Sequence, residues 1–297
     1  MLQAVFRVVV SVWLAATCLF VTIRLLPGDP LLAEGTEAAL DASTIAARRN
    51  AEGLTLPLLE QYHVFLGNLI RLDLGESITR RLPVTDLMMP RILSTLELAS
   101  WAFLLGAVAG LSLSVGLVSA PRWLRQLLLV ITNLGLAVPV YWSGTIALFL
   151  LSTYFDLRQD SLLLPVLVLA FHFASPVAKL SASALERTRS ESFVMTAHAK
   201  GLRRHTIWIM HILRPASIPI VSIIALQSAL LFNGAVITEV IFLRPGLGTM
   251  LFNAINERDY PVIQGCVLFI VLVYVVSLTL ADIYAHWADP RLRIMTE

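Results

Sequence analysis

The sequence predicts an all-α membrane protein with six transmembrane helices. Three observations carry that expectation. The chain is 57% hydrophobic and 14% charged, against roughly 45–50% and 25% in a soluble domain. Its charge-free runs come in lengths close to the roughly 20 residues that cross a bilayer as a helix. None of them shows the ten-residue segments of alternating polarity that a membrane β-barrel needs.

The runs follow in order. Val8 to Ile23 has 16 residues, Leu98 to Pro121 has 24, and Gln126 to Phe155 has 30. Ser161 to Ala178 has 18, Pro215 to Thr238 has 24, and Tyr260 to Ala281 has 22. The first and fourth extend past Arg24 and Lys179, whose long side chains snorkel toward the interface. The first run resembles a secretory leader, with Arg7 before it and Ala15, Ala16, Thr17 and Cys18 near its end. Thr17 is a poor last residue for lipoprotein processing and many apolar runs follow, so it is read as a retained span. Cys18 and Cys266 sit inside apolar runs, where small buried hydrophobes are the simpler reading.

Four regions result: residues 1–26 as N-terminus and first span, 27–95 as a long outer loop, 96–288 as a five-helix core, and 289–297 as a tail. Within the outer loop Leu58, Leu59, Tyr62, Phe65, Leu66, Leu69 and Ile70 recur at spacings of three and four. That pattern is an amphipathic helix lying along the membrane surface or over the bundle. An even number of spans puts both termini on one side. The termini and short connections on that side carry eleven Lys and Arg against three in the opposite short loops, residues 27–95 being too long for charge to govern, which assigns the termini to the cytoplasm. Net charge is +2, and no basic stripe interleaved with aromatics appears, so nucleic acid is not an expected partner.

Residues 185–214 form the longest inside connection and hold six of the eleven inside positive charges. Thr196, Ala197, Ala199, Lys200, Gly201, Arg203 and Arg204 make up its centre, "TAHAKGLRR". Small residues, a glycine that can take positive φ or admit close backbone approach, and then Ile207, Trp208, Ile209, Ile212 and Leu213 suggest a short helix, a turn, and a helix returning to the membrane. On composition alone this is either a basic loop touching anionic lipid or a docking element for a soluble partner, with charge setting the register.

Sequence pattern favours docking. "TAHAKGL" resembles the short alanine-and-glycine loop of the inner-membrane permeases of ATP-binding-cassette importers, in the dipeptide, oligopeptide and nickel branch. "RLLPGDP", "LGNLIRLDLGESI", "STLELA", "TEVIFLRPGLG", "RDYPVIQG" and "DPRLR" resemble other parts of that branch, in the same order along nearly the whole chain. Two positions depart from the wider permease pattern: Met195 stands where a glutamate is usual, and Arg214 stands where a proline commonly ends it. The loop at 152–160 is short for the branch.

The resemblance implies a MetI-like type I permease fold and a place in the inner membrane of a bacterium or archaeon. It implies that the 190s segment couples to two cytoplasmic ATPases, with ATP and Mg bound there and no cofactor in this chain. A second homologous permease and an extracytoplasmic solute-binding protein would complete the importer. Short peptides are the leading cargo; nickel, a metal chelate or a glutathione-like solute are alternatives. An ATP-independent channel or secondary transporter is the competing class.

Polar residues in the spans are functional candidates because they are expensive in hydrocarbon. Glu239, near Asn233 and Thr238, either lines the pathway or makes a structural hydrogen bond. Glu97, after Ser94 and Thr95, reads as a helix-start carboxylate in a capping box. His172 reads as a satisfied bundle histidine. Gly106 and Gly110 read as a close helix contact. Pro139, Pro165 and Pro176 are expected to interrupt helices. "RPGLGT" lacks the lysine of a phosphate loop, and no HExxH occurs, so nucleotide hydrolysis and zinc proteolysis are not expected. Ser143 with His172 would supply an intramembrane protease pair, but Tyr141 stands where such an enzyme carries a glycine.

Overall fold

A computed structural model describes residues 2–25, 56–154 and 162–288. The part of the outer loop at 26–55, the short loop at 155–161 with Arg158, the "DPRLR" tail and the Asp282 side chain lie outside the described residues. Among the described residues eleven α-helical segments follow one another: α1 (Leu2–Leu25), α2 (Leu58–Ile70), α3 (Val84–Ser119), α4 (Arg122–Ala137), α5 (Val140–Tyr154), α6 (Leu163–Arg189), α7 (Ser192–Ala199), α8 (Arg204–Thr206), α9 (Arg214–Ile241), α10 (Leu247–Asn256) and α11 (Tyr260–Ala288). A π-helical stretch, Ile207–Leu213, joins α8 to α9. Among the described residues extended pairing is confined to one bridge, Glu76 with Pro83.

Among the described residues five helices are long and apolar enough to cross a membrane, and a sixth span results if α4 and α5 count as one. That pair is bent by 107°. The 30-residue apolar run from Gln126 is therefore not one straight helix but a pair broken near its middle, a broken or re-entrant span. The break falls at Pro139, which has no N–H for the helix and whose ring disfavours the helical conformation at Val138; Val138 is extended, with ψ 125°. Pro165 and Pro176, also expected to interrupt, do not: Pro165 sits in the first turn of α6, where no donor is required, and α6 runs on through Pro176.

The chain divides into two compact units, one of Met1–Thr95 with Pro245–Leu272, the other of Leu96–Arg244 with Val273–Glu297. In the first, Val84, Met88, Leu247, Met250, Ala254, Val262 and Cys266 form the core. Helix α2 packs on α1, with the Phe20 ring 5.2 Å from Tyr62 and 5.4 Å from Phe65. Thr17 and Tyr62 share a hydrogen bond of 2.7 Å, and Arg24 Nε donates to Gln61 Oε1 at 2.9 Å. The first described turns of the amphipathic helix are thus fastened to the first span through its aromatic residues, while Leu58, Leu59 and Ile70 stay exposed.

In the second unit α6 is the central helix, buried along Val166, Leu169, Ala170, Phe173, Val177 and Ala178. Gly106 and Gly110 of α3 lie against it: a Cβ on Gly106 would stand 2.8 Å from Phe173 and one on Gly110 2.9 Å from Val177. Absence of side chains lets the two backbones approach, as small residues do between membrane helices. Helix α3 starts at Val84, well before the expected start of the second span. Glu97 is consequently inside a helix and caps nothing; it pairs with Arg244 at 2.6 Å.

Candidate functional site

The segment after α6 is built as a hairpin of helices. Chain reversal begins at Ser190, and α7 then places Val194 and Ala197 on its buried side. These two join Leu185 of α6, Ile207 and Ile212 of the π-helical stretch, and Ala216 and Ile220 of α9 in one core cluster. Helix α7 is therefore fastened to the ends of both long helices that flank it. Its other side, with Met195, Thr196, Ala199 and Lys200, is exposed.

Gly201 ends α7 with φ +73°. Its N–H donates to the His198 carbonyl at 2.9 Å, and the Leu202 N–H donates to the Ala197 carbonyl at 3.4 Å. That is a Schellman motif, in which the residue after the cap takes the left-handed conformation that glycine adopts without a Cβ penalty. Nothing lies within 4 Å of where a Cβ would stand on Gly201. Of the two roles left open for this glycine, the turn is the one adopted within the chain. Arg203 and Arg204 follow, exposed, as the next helix starts.

The exposed side is more apolar than the basic character of the segment suggests: Met195 is 71% exposed, Phe193 43% and Leu202 40%. Such side chains on a short helix offer a knob for a socket, with Lys200, Arg203 and Arg204 as a charged rim. The π-helical stretch also has a local cause. Pro215 has no N–H for the His211 carbonyl and its ring crowds that group, and the widened turn that precedes it shows the Arg214 N–H bonding five residues back, to Ile209.

The two pathway candidates lie on different sides of α9. Asn233 is exposed, whereas Glu239 is 0% exposed beside buried Thr238. Lys179, expected near a helix end, sits within α6 and donates to Asn133 Oδ1 at 3.1 Å. Ser143 and His172 do meet, Oγ to Nε2 at 2.6 Å. The other ring nitrogen faces the Gly135 carbonyl at 3.1 Å rather than a carboxylate, so the charged group that stabilises an imidazolium in a catalytic triad is not supplied there.

Residues 89–294 match the family described as binding-protein-dependent transport system inner membrane component. The match takes in α4 to α11 and the whole of the α7 hairpin. The chain belongs to that family. Two relatives extend the likeness to its full length. The dipeptide transport system permease protein DppB of Escherichia coli K12 is 29% identical over 340 residues, covering 99% of each chain. The nickel import system permease protein NikB of Staphylococcus aureus USA300 is 29% identical over 302 residues, covering 99% of this chain and 92% of its own. A crystal structure of an amino acid ABC transporter aligns with 68% of this chain and 94% of its own, at a TM-score of 0.60 and 14% identity, which is a likeness of fold. This permease is thus an all-helical, multi-pass inner-membrane subunit of an ABC importer with the MetI-like fold, and its relatives are transport subunits rather than enzymes.

Sequence reasoning missed a buried carboxylate in the first unit. Asp259 accepts hydrogen bonds from Ser77 Oγ at 2.5 Å, Thr79 Oγ1 at 2.8 Å and the Ile78 N–H at 3.2 Å. Ser77 Oγ in turn accepts from the Arg80 N–H at 3.0 Å. "GESITR" and "ERDY" each look like polar loop in isolation. Only their meeting across about 180 residues makes them one construction.

Proposed function

We propose that this permease forms half of the translocation pathway for short peptides and is driven by cytoplasmic ATPases through residues 185–214. A second homologous permease supplies the other half, two ATPases bind ATP and Mg, and an extracytoplasmic binding protein delivers cargo. One observation carries the reading: α7 is anchored by Val194 and Ala197 to the ends of both α6 and α9 while Met195, Thr196, Ala199, Lys200, Gly201, Arg203 and Arg204 face away. A body seated on that exposed side moves two span helices at once.

In the cycle, ATP binding closes the ATPases, α7 follows them, and α6 and α9 carry the displacement across the membrane. The pathway changes from inward to outward access, cargo enters from the binding protein, and hydrolysis resets the state. The two accesses are alternative packings of the same helices, biased by nucleotide in another polypeptide. Asn233 and Glu239 are the pathway-lining candidates, Asn233 in the arrangement described here and Glu239 only after α9 turns.

Gly201 tests the coupling. Asn and Asp have nearly the same shape and both tolerate the left-handed conformation better than other residues, and the open space at Gly201 accommodates either within the chain. Gly201→Asp places a negative charge at the rim of the docking side. Uptake and ATPase co-purification should both fall by about tenfold, equivalent to ~1.4 kcal/mol, with the amount of permease in the membrane unchanged. If Gly201→Asp leaves both intact, docking through this segment is wrong. NikB matches this chain as closely as DppB does, so nickel or a nickel chelate is the second reading. Competition of labelled dipeptide uptake by unlabelled dipeptides and by nickel separates the two.

A further inference from the structure

We infer that His172 is a positioning residue that holds the broken span α4–α5 folded back, by supplying the hydrogen-bond donor that Pro139 lacks. In a continuous helix the carbonyl of residue 135 would accept from the N–H of residue 139. Proline has none, so Gly135 is left with an orphaned carbonyl within an apolar span, where no water is at hand to satisfy it. His172, on the neighbouring α6, places Nδ1 3.1 Å from that oxygen. A carbonyl only accepts, so Nδ1 carries the proton.

The second ring nitrogen engages the other side of the break. Ser143, in the first turn of α5, lies with Oγ 2.6 Å from His172 Nε2. In the neutral ring Nε2 is bare, so the serine hydroxyl donates to it; the same hydroxyl stands 2.9 Å from the Val140 carbonyl, its alternative acceptor. One imidazole thus joins the end of α4 to the start of α5. The contact with α6 is close enough to exclude any side chain at 135. A Cβ there would overlap Ser175 Oγ and stand 3.1 Å from Phe171 Cζ, on either side of His172. Helix α6 thereby presents its histidine at the place where the bent span has lost a donor.

The bend is read directly by spin labels on the exposed positions Leu127 and Ile146, introduced as cysteines in a full-length chain with Cys18 and Cys266 replaced, in lipid nanodiscs. His172→Leu fills space but donates nothing, and the distance between labels should lengthen by about 5 Å, roughly one helical turn. His172→Asn puts an amide nitrogen near the position of Nδ1 and should keep the parent distance. Uptake in cells should fall about tenfold with leucine and within about twofold with asparagine. An unchanged distance in His172→Leu overturns the inference, as does equal lengthening in both variants. Should the leucine variant fail to accumulate, 15N NMR of the histidine-labelled parent decides. A protonated Nδ1 on His172 is required, and a bare Nδ1 refutes the clamp. Neither the distance nor the tautomer depends on which ATPase or cargo the permease serves.

Discussion

Asp259 illustrates how much one side chain organises. Its carboxylate is 2% exposed and takes donors from Ser77, Ile78 and Thr79, so it closes the 76–81 loop onto the end of α10. Hydrogen bonds to a charged acceptor contribute more than neutral ones, about 1.5–3 kcal/mol net. Asp259→Ala should therefore lower unfolding stability by about 2 kcal/mol and loosen the 76–81 loop, so that trypsin cuts at the already exposed Arg80 and Arg81 and gives a new fragment in limited digests. Backbone conformation at this scale is less predictable. Leu72, Leu243 and Arg258 all take positive φ just past the ends of α2, α9 and α10. Each closes the same kind of cap that Gly201 closes: Asp73 donates to the Asn68 carbonyl, Arg244 to Glu239 and Asp259 to Ala254. Only the glycine advertises its turn in sequence, because only glycine takes that conformation without a steric penalty.

Among elements, α7 and the broken span show opposite relations between pattern and outcome. The short helix, glycine turn and returning helix follow from local residues: Val194 and Ala197 bury together because they are three apart. Replacing Ala197 with glutamate forces a carboxylate into a cluster with Ile207, Ile212 and Ala216. Released from that cluster, α7 should become cleavable by trypsin at Lys200 and Arg203, and transport should be lost while the chain still inserts. The broken span, by contrast, has a local cause at Pro139 but a non-local solution. No pattern within residues 122–154 indicates that a histidine from α6 answers the Gly135 carbonyl. Glu97 departs from its local pattern for a similar reason. "STLE" has the spacing of a capping box, yet α3 had already begun at Val84, and Thr95 instead accepts from the Leu247 N–H at the start of α10.

For the molecule as a whole, orientation is the property that composition addresses best. The excess of Lys and Arg on the short connections of one side predicts a cytoplasmic Lys200 and an Arg80 on the opposite side. In a background without Cys18 and Cys266, an impermeant maleimide added to intact cells should label Arg80→Cys and leave Lys200→Cys unlabelled until the membrane is opened. The reverse pattern would remove the coupling proposal altogether. Hydrocarbon is a uniform, water-free solvent that imposes apolar runs of bilayer length, so the number and order of spans can be read from a one-dimensional chain. The Gly106 and Gly110 contact is legible on similar grounds, since close approach of two helices requires missing side chains. Partnership across distance is another matter. Arg244 with Glu97, Asp259 with Ser77, and His172 with Gly135 depend on which helices lie side by side. Each polar group in an apolar setting must find a partner, but residue order states the need without naming the neighbour that meets it.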